Sequence, residues 1–120
     1  MYQQVLYKMA EFKIENTKSQ MRKGILEYCI LATLKRKKEA YPSDIIGEMK
    51  EAKLIVVEGT LYPLLTRLKN SGVLAYQWEE STSGPPRKYY RLTELGDKVL
   101  KELDSTWLNL VKSVNKASNN

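Results

Sequence analysis

A chain of 120 residues with 42% apolar side chains is enough for one small domain but too short to bury a large core unaided, so self-association is an expected way of covering more surface. Twenty Lys and Arg against fourteen Asp and Glu leave a net charge of +6, which favours polyanionic partners such as nucleic acid. With no histidine and only Cys29 as cysteine, the sequence excludes His-based metal sites, Cys clusters and an internal disulfide, and it fits a reducing, cytoplasmic setting. Cys29 lies in the apolar run YCILATL with no histidine to activate it, so it reads as core rather than nucleophile. Neither a Gly-rich phosphate loop nor a partnered pair of carboxylates is present, so no enzyme and no cofactor are expected.

Residues 1–20, MYQQVLYKMAEFKIENTKSQ, place Tyr2, Val5, Leu6, Met9 and Phe12 at near-helical spacing broken by charges. That predicts an amphipathic extension, free to dock on the body or on a partner chain or to fray, and neither a signal peptide nor a membrane span. From Met21 the pattern strengthens: Ile25, Tyr28, Cys29 and Ala32 make one helical face and Leu26, Ile30, Leu31 and Leu34 a second, so this helix is expected to be covered on two sides. The run Lys35 to Lys38 ends it in solvent. Tyr41, Pro42, Ser43 and Asp44 start a second helix, with Pro42 at its first position and Ile45, Ile46 and Met49 on its buried side, closing near Ala52.

The stretch EGTLYPLLTRLKNSG predicts a third helix over about 58–71, with Leu61, Leu64, Leu65 and Leu68 at i, i+3, i+4 and i+7. Proline is harmless only near a helix start, which puts the first residue between Val57 and Thr60: Thr60 caps the helix directly, or the helix begins nearer Val57 and Pro63 faces the carbonyl of Gly59. Tyr62, Thr66 and Lys69 then share the outer face, flanked by Arg67 and Asn70, and Gly72 supplies the stop. Beyond it, VLAYQWEE alternates, with Leu74, Tyr76 and Trp78 on one side; STSGPP is a turn-rich loop, and RKYYRLT returns as a second strand carrying Arg87, Lys88 and Arg91. Three helices followed by a 73–92 hairpin form a winged helix-turn-helix, so residues 21–92 are expected to be a DNA-binding domain with the third helix in the major groove and the hairpin as wing.

Thr93 is a good N-cap for a helix running to about Asn115, and Leu100, Leu103, Trp107, Leu110 and Val114 recur within it at alternating intervals of three and four. This is a coiled-coil seam, which assigns residues 93–120 to a dimerisation helix and tail; Leu95 and Val99 lie off the seam and are expected to pack on the domain. The fold class is thus mainly α with a small β-hairpin.

The pieces EGTLYPLLTRLKNSGVL and GPPRKYYRLTELG resemble the signature of the PadR family of bacterial transcriptional regulators, over roughly residues 21–114. The resemblance implies a dimeric DNA-binding regulator, usually a repressor, of the short type with a single C-terminal helix, whose operator affinity responds to an effector. It assigns Thr60, Tyr62, Pro63 and Arg67 to the recognition helix, and Arg87, Lys88 and Tyr89 to the wing.

Together these readings predict a homodimer presenting two recognition helices to a near-palindromic duplex, about 34 Å apart. Arg67, Lys69, Arg87 and Lys88 supply phosphate contacts, and Tyr62 and Thr66 meet base edges or sugars. Trp107 is the candidate for stacking a small aromatic effector between the C-terminal helices. The rival reading is a winged-helix protein-interaction module that recruits another protein through Tyr76, Trp78 and the N-terminus without touching DNA.

Overall fold

Polar helix formers and an apolar double stripe follow one another between residues 14 and 37, and they make one long helix. The computed structural model describes residues 1–119, in the order α1 (Tyr2–Phe12), α2 (Ile14–Lys37), β1 (Glu39–Ala40), α3 (Pro42–Glu51), α4 (Glu58–Asn70), β2 (Leu74–Ser81), β3 (Gly84–Leu92) and α5 (Glu94–Asn119). The helix expected from Met21 therefore starts at Ile14, because Glu15 to Gln20 are helix-compatible although they carry no apolar period. Lys13, in the left-handed conformation at φ 62°, separates it from α1. The N-terminal segment is helical, and among the described residues none of α1 is buried, with Tyr2 and Phe12 75% and 68% exposed.

The two faces of α2 meet different neighbours. Leu26, Ile30, Leu31 and Leu34 are buried with Ile45, Met49, Leu61, Leu65, Leu74 and Tyr90 in one core. Ile25, Tyr28, Cys29 and Ala32 are half-buried on the side that meets α5. Thr33 Oγ1 donates to the Cys29 carbonyl at 2.8 Å, and burial pushes the Cys29 thiol up, which keeps it protonated. After the lysine run, Lys38 takes a positive φ of 72° and turns the chain into β1. As expected, Pro42 opens α3; Tyr41 is extended, and its N–H donates to Asp44 Oδ2 at 3.0 Å, satisfying an amide outside the helix.

The sheet has three strands in the order β1-β3-β2, all antiparallel. The two-residue β1, whose Ala40 is fully buried, pairs Glu39 and Ala40 with Arg91 and Tyr90. It is too short to carry a period in sequence, so a plain hairpin was expected. The turn is also tighter than expected: Pro85 and Pro86 belong to β3, and only Thr82 and Ser83 connect the strands. The register slips between Glu79 and Ser81, where the prolines opposite have no N–H to offer the ladder.

Thr93 joins three elements. Its Oγ1 accepts the Gly96 N–H at 3.0 Å as the N-cap of α5 and donates to the Gly72 carbonyl at 2.6 Å, and its own N–H donates to Val73 O at 3.1 Å. Gly72, at φ 84°, ends α4 with the Val73 N–H returning to Leu68 O at 3.0 Å. From this anchor α5 turns Gly96, Val99, Leu100 and Leu103 inward, at i, i+3, i+4 and i+7. Of the two residues expected to pack on the domain, Val99 packs on the core, while Leu95, beside Gly72, stays 48% exposed because Gly96 takes the closest approach to the hairpin base.

One polar contact clamps α5 to α2: Tyr28 Oη donates to Asp104 Oδ1 at 2.7 Å. The bond, with desolvation and the nearby negative charge, pushes the phenol up to about 12. The folded state thus holds this proton more tightly than the unfolded chain does, so its stabilisation is complete below the ordinary phenol range around 10.0 and is lost as pH rises toward about 12. Tyr28→Phe is expected to lower stability by about 1 kcal/mol at neutral pH. Urea denaturation of both proteins should show the difference closing across the alkaline window; a constant gap would show that the phenol proton is not involved.

Candidate nucleic-acid interface

Helix α4 begins at Glu58 behind an extended Val57, whose carbonyl accepts the Thr60 and Leu61 N–H groups at 3.0 Å each. Of the two starts left open by the sequence, the earlier one is realised. Pro63 therefore lies inside the helix, and the Gly59 carbonyl four residues before it has no helical donor. Both residues are exposed, so water reaches that carbonyl. Leu61, Leu65 and Leu68 are buried and Leu64 is half-buried, which fastens the back of the helix to the core.

At about 100° per residue the direction opposite these leucines falls on Gly59, Pro63, Thr66 and Asn70. A shallow depression lined by Tyr62, Pro63, Thr66, Arg67 and Asn70 runs along this front. The expected outer trio divides. Thr66 faces outward, whereas Tyr62, 46% exposed, and Lys69 share the hairpin side, Tyr62 lining the groove there and Lys69 with Nζ 5.7 Å from the Tyr76 ring centroid. Arg67 lies at the opposite edge, where its guanidinium pairs with Glu27 of α2. Thr60 is half-buried on that same side, beside Arg22, Lys23 and the exposed Ile55 and Val57.

Period-two geometry sorts the hairpin cations onto opposite faces. Lys88 pairs across the ladder with Trp78, and its Nζ lies 4.6 Å from the Tyr76 centroid and 5.4 Å from that of Trp78. Arg87 projects the other way, its Cζ 3.9 Å over the Tyr41 ring, which in turn stacks on Tyr89 at 4.6 Å. Such cation–π contacts contribute about 0.5–1 kcal/mol each at exposed sites, and they orient long flexible side chains. Tyr90, beneath them, is 2% exposed, and desolvation raises its phenol.

A groove between α4 and the wing is lined by Tyr41, Tyr62, Trp78, Arg87 and Lys88. Trp78 shares a strand face with Leu74 and Tyr76, yet it is 61% exposed against 2% for Leu74. The face is one face, but the domain beneath it stops short of the hairpin tip. Trp78, Tyr41 and Glu27 are the residues that sequence reasoning did not place at this surface. Counting back from a turn at Thr82 and Ser83 would pair Trp78 with Arg87, so only the register slip between Glu79 and Ser81 brings Lys88 opposite Trp78.

The other expected site, the α5 seam, is shared out by the fold. Leu100 is 5% exposed and Leu103 packs on the core, so both are engaged by their own chain. Trp107, Leu110 and Val114 remain 38%, 48% and 53% exposed and line an apolar cleft with Met21 and Ile25 of α2. The Trp107 ring lies 6.3 Å from that of Tyr28.

The sequence model of the transcriptional regulator PadR-like family matches residues 30–102, from the middle of α2 to the first turns of α5. The chain belongs to the PadR-like family. Solved structures extend the likeness. A PadR-like transcription factor from Bacteroides fragilis is 62% identical, with a TM-score of 0.72 over 86% of this chain and 99% of that one. A PadR family transcriptional regulator from Eggerthella lenta is 31% identical, with a TM-score of 0.82 over 94% of this chain and 99% of that one. An uncharacterised protein from Lysinibacillus sphaericus is 31% identical over 93 residues, 75% of this chain and 84% of its own length. This PadR-like protein is a DNA-binding transcriptional regulator rather than an enzyme. Among the described residues no helix is long and apolar enough to cross a membrane.

Proposed function

We propose that this PadR-like regulator is a homodimeric, cytoplasmic repressor that inserts α4 into successive major grooves of a near-palindromic operator, with the β2–β3 hairpin as wing. One observation carries the reading: the exposed front of α4, Tyr62, Pro63, Thr66 and Asn70, is backed by buried leucines and flanked by four outward cations, Arg67, Lys69, Arg87 and Lys88. Tyr62 and Thr66 meet base edges or sugars, and the cations and Tyr89 hold the phosphate walls. Trp107, Leu110 and Val114, with Leu108 at 61% exposure, form the apolar surface that a second protomer covers. Leu100 and Leu103 support it from behind.

Selection of bound sites from random duplex DNA tests the reading, together with sedimentation at working concentration. A dimer enriching an inverted repeat is expected. A monomer, or a protein that ignores heparin and duplex DNA at low salt, would favour the protein-interaction module instead.

The cleft beside Trp107 is the site for an effector: a flat aromatic molecule stacking there changes the separation of the two α4 helices. Titrating candidate aromatics into a Trp78→Phe protein, which leaves Trp107 as the sole tryptophan, is expected to quench or shift its fluorescence; an unchanged spectrum with every candidate argues for plain interface packing.

A further inference from the structure

Of the four cations that flank the front of α4, three are held over aromatic faces and one is held by an acid. Lys69 and Lys88 lie over Tyr76, and Arg87 lies over Tyr41, arrangements that leave their charge uncompensated. Among the described residues, only Arg67 of this set is paired with a carboxylate, that of Glu27. The acid comes from α2, the central helix of the domain, and its neighbours fix it there: Leu26 is buried in the core and Tyr28 is bonded to Asp104. Glu27 itself is 32% exposed at the side chain against 65% for Arg67, so a firmly based anion reaches a more exposed cation at the rim of the interface.

A carboxylate and a phosphate oxygen are chemically alike to a guanidinium. Both accept its paired N–H groups in the same bidentate fork. Exposed ion pairs are weak, so this one yields to a phosphate at modest cost, but while it lasts it withholds one cation per protomer from the duplex.

We propose that Glu27 is a positioning residue for DNA binding: its carboxylate stands in for a backbone phosphate on Arg67 in the free protein and competes with the duplex for that guanidinium. The proposal rests on the reading that α4 faces DNA. It makes Glu27 a negative determinant of affinity, so that contacts made by the rest of the interface must be good enough to draw Arg67 away, which favours correctly docked sites over casual encounters.

Fluorescence anisotropy of a labelled duplex at low salt, with wild type, Glu27→Gln, Arg67→Ala and the double variant, tests this as a cycle. Glu27→Gln is expected to tighten binding by roughly fivefold for a dimer. In the Arg67→Ala background the same change should have no effect. A gain that persists without Arg67 would mean that only bulk charge had changed, and a loss or no change in the wild-type background would mean that Glu27 orients Arg67 or ignores it; either overturns the proposal. Should Glu27→Gln fail to fold by thermal unfolding, Glu27→Asp makes the comparison at constant net charge: the shorter acid should release Arg67 and tighten binding, and unchanged affinity would refute the competition. Absence of any duplex binding by the wild type would remove the DNA reading itself, and the competition with it.

Discussion

Gly96→Ala is expected to destabilise the protein by about 3 kcal/mol, a large share of what a domain of this size holds. The new methyl would fall inside van der Waals distance of the Val73 carbonyl oxygen, 3.2 Å from Leu92 Cδ2 and 3.4 Å from Leu92 Cβ. The carbonyl is backbone and cannot swing aside as a side-chain end can. Val73 is 7% exposed, and its carbonyl accepts the Thr93 N–H at 3.1 Å while the neighbouring Gly72 carbonyl accepts the Thr93 hydroxyl, the contacts that hold the start of α5 against the end of α4. The sign of the effect is informative, because alanine is the better helix former by about 0.8–1 kcal/mol and should stabilise any helical site with free space. Gly24, in α2 with nothing within 4 Å of an added methyl, is such a site. Urea denaturation should therefore move in opposite directions for Gly96→Ala and Gly24→Ala. A neutral Gly96→Ala would mean that α5 is free to shift on the hairpin base.

Duplex affinity is expected to fall with a log–log salt slope of about −7 for the dimer, from four cations per protomer each releasing about 0.9 counterion. Between 50 and 200 mM monovalent salt this amounts to a loss of about four orders of magnitude. The structure bears on how the four share the task. Lys69 and Lys88 lie over one ring, that of Tyr76, and so tie α4 and the wing to a common position. Arg87 lies over Tyr41 at the head of α3, which aims it into the groove rather than past the hairpin tip. Arg67→Ala should weaken binding without unfolding the domain, since it is exposed and its pair is a surface one, and should make the slope shallower by about 2 for a dimer. Anisotropy titrations across a salt series read both quantities. A wild-type slope near zero would detach these cations from DNA, and an Arg67→Ala protein bound at full strength would remove Arg67 from the interface.

Much of the architecture follows from short-range chemistry that is readable without coordinates. Pro42 and Asp44 mark the start of α3, Gly72 the end of α4 and Thr93 the start of α5, because each solves a local problem of unpaired amides or positive φ in whatever domain surrounds it. The leucine stripe of α4 and the alternation of LAYQWEE are likewise statements about one element's own geometry. The peptides LYPLLTRL and RKYYRLT carried the family, which the match over residues 30–102 establishes.

What each face met was decided by tertiary structure alone. An apolar stripe declares that it needs cover but does not name the cover, so the single seam of α5 was divided between its own core at Leu100 and Leu103 and open surface at Trp107, Leu110 and Val114. Strand β1, at two residues, had no period to show. Arg67 and Lys69 are two positions apart on one helix, and only the elements packed on either side gave the first an acid and the second an aromatic ring. The physical reason is range: caps, turns and periodicity act over a few residues of chain, whereas the partner of a side chain at the edge of a helix is set by where another element, distant in sequence, comes to rest.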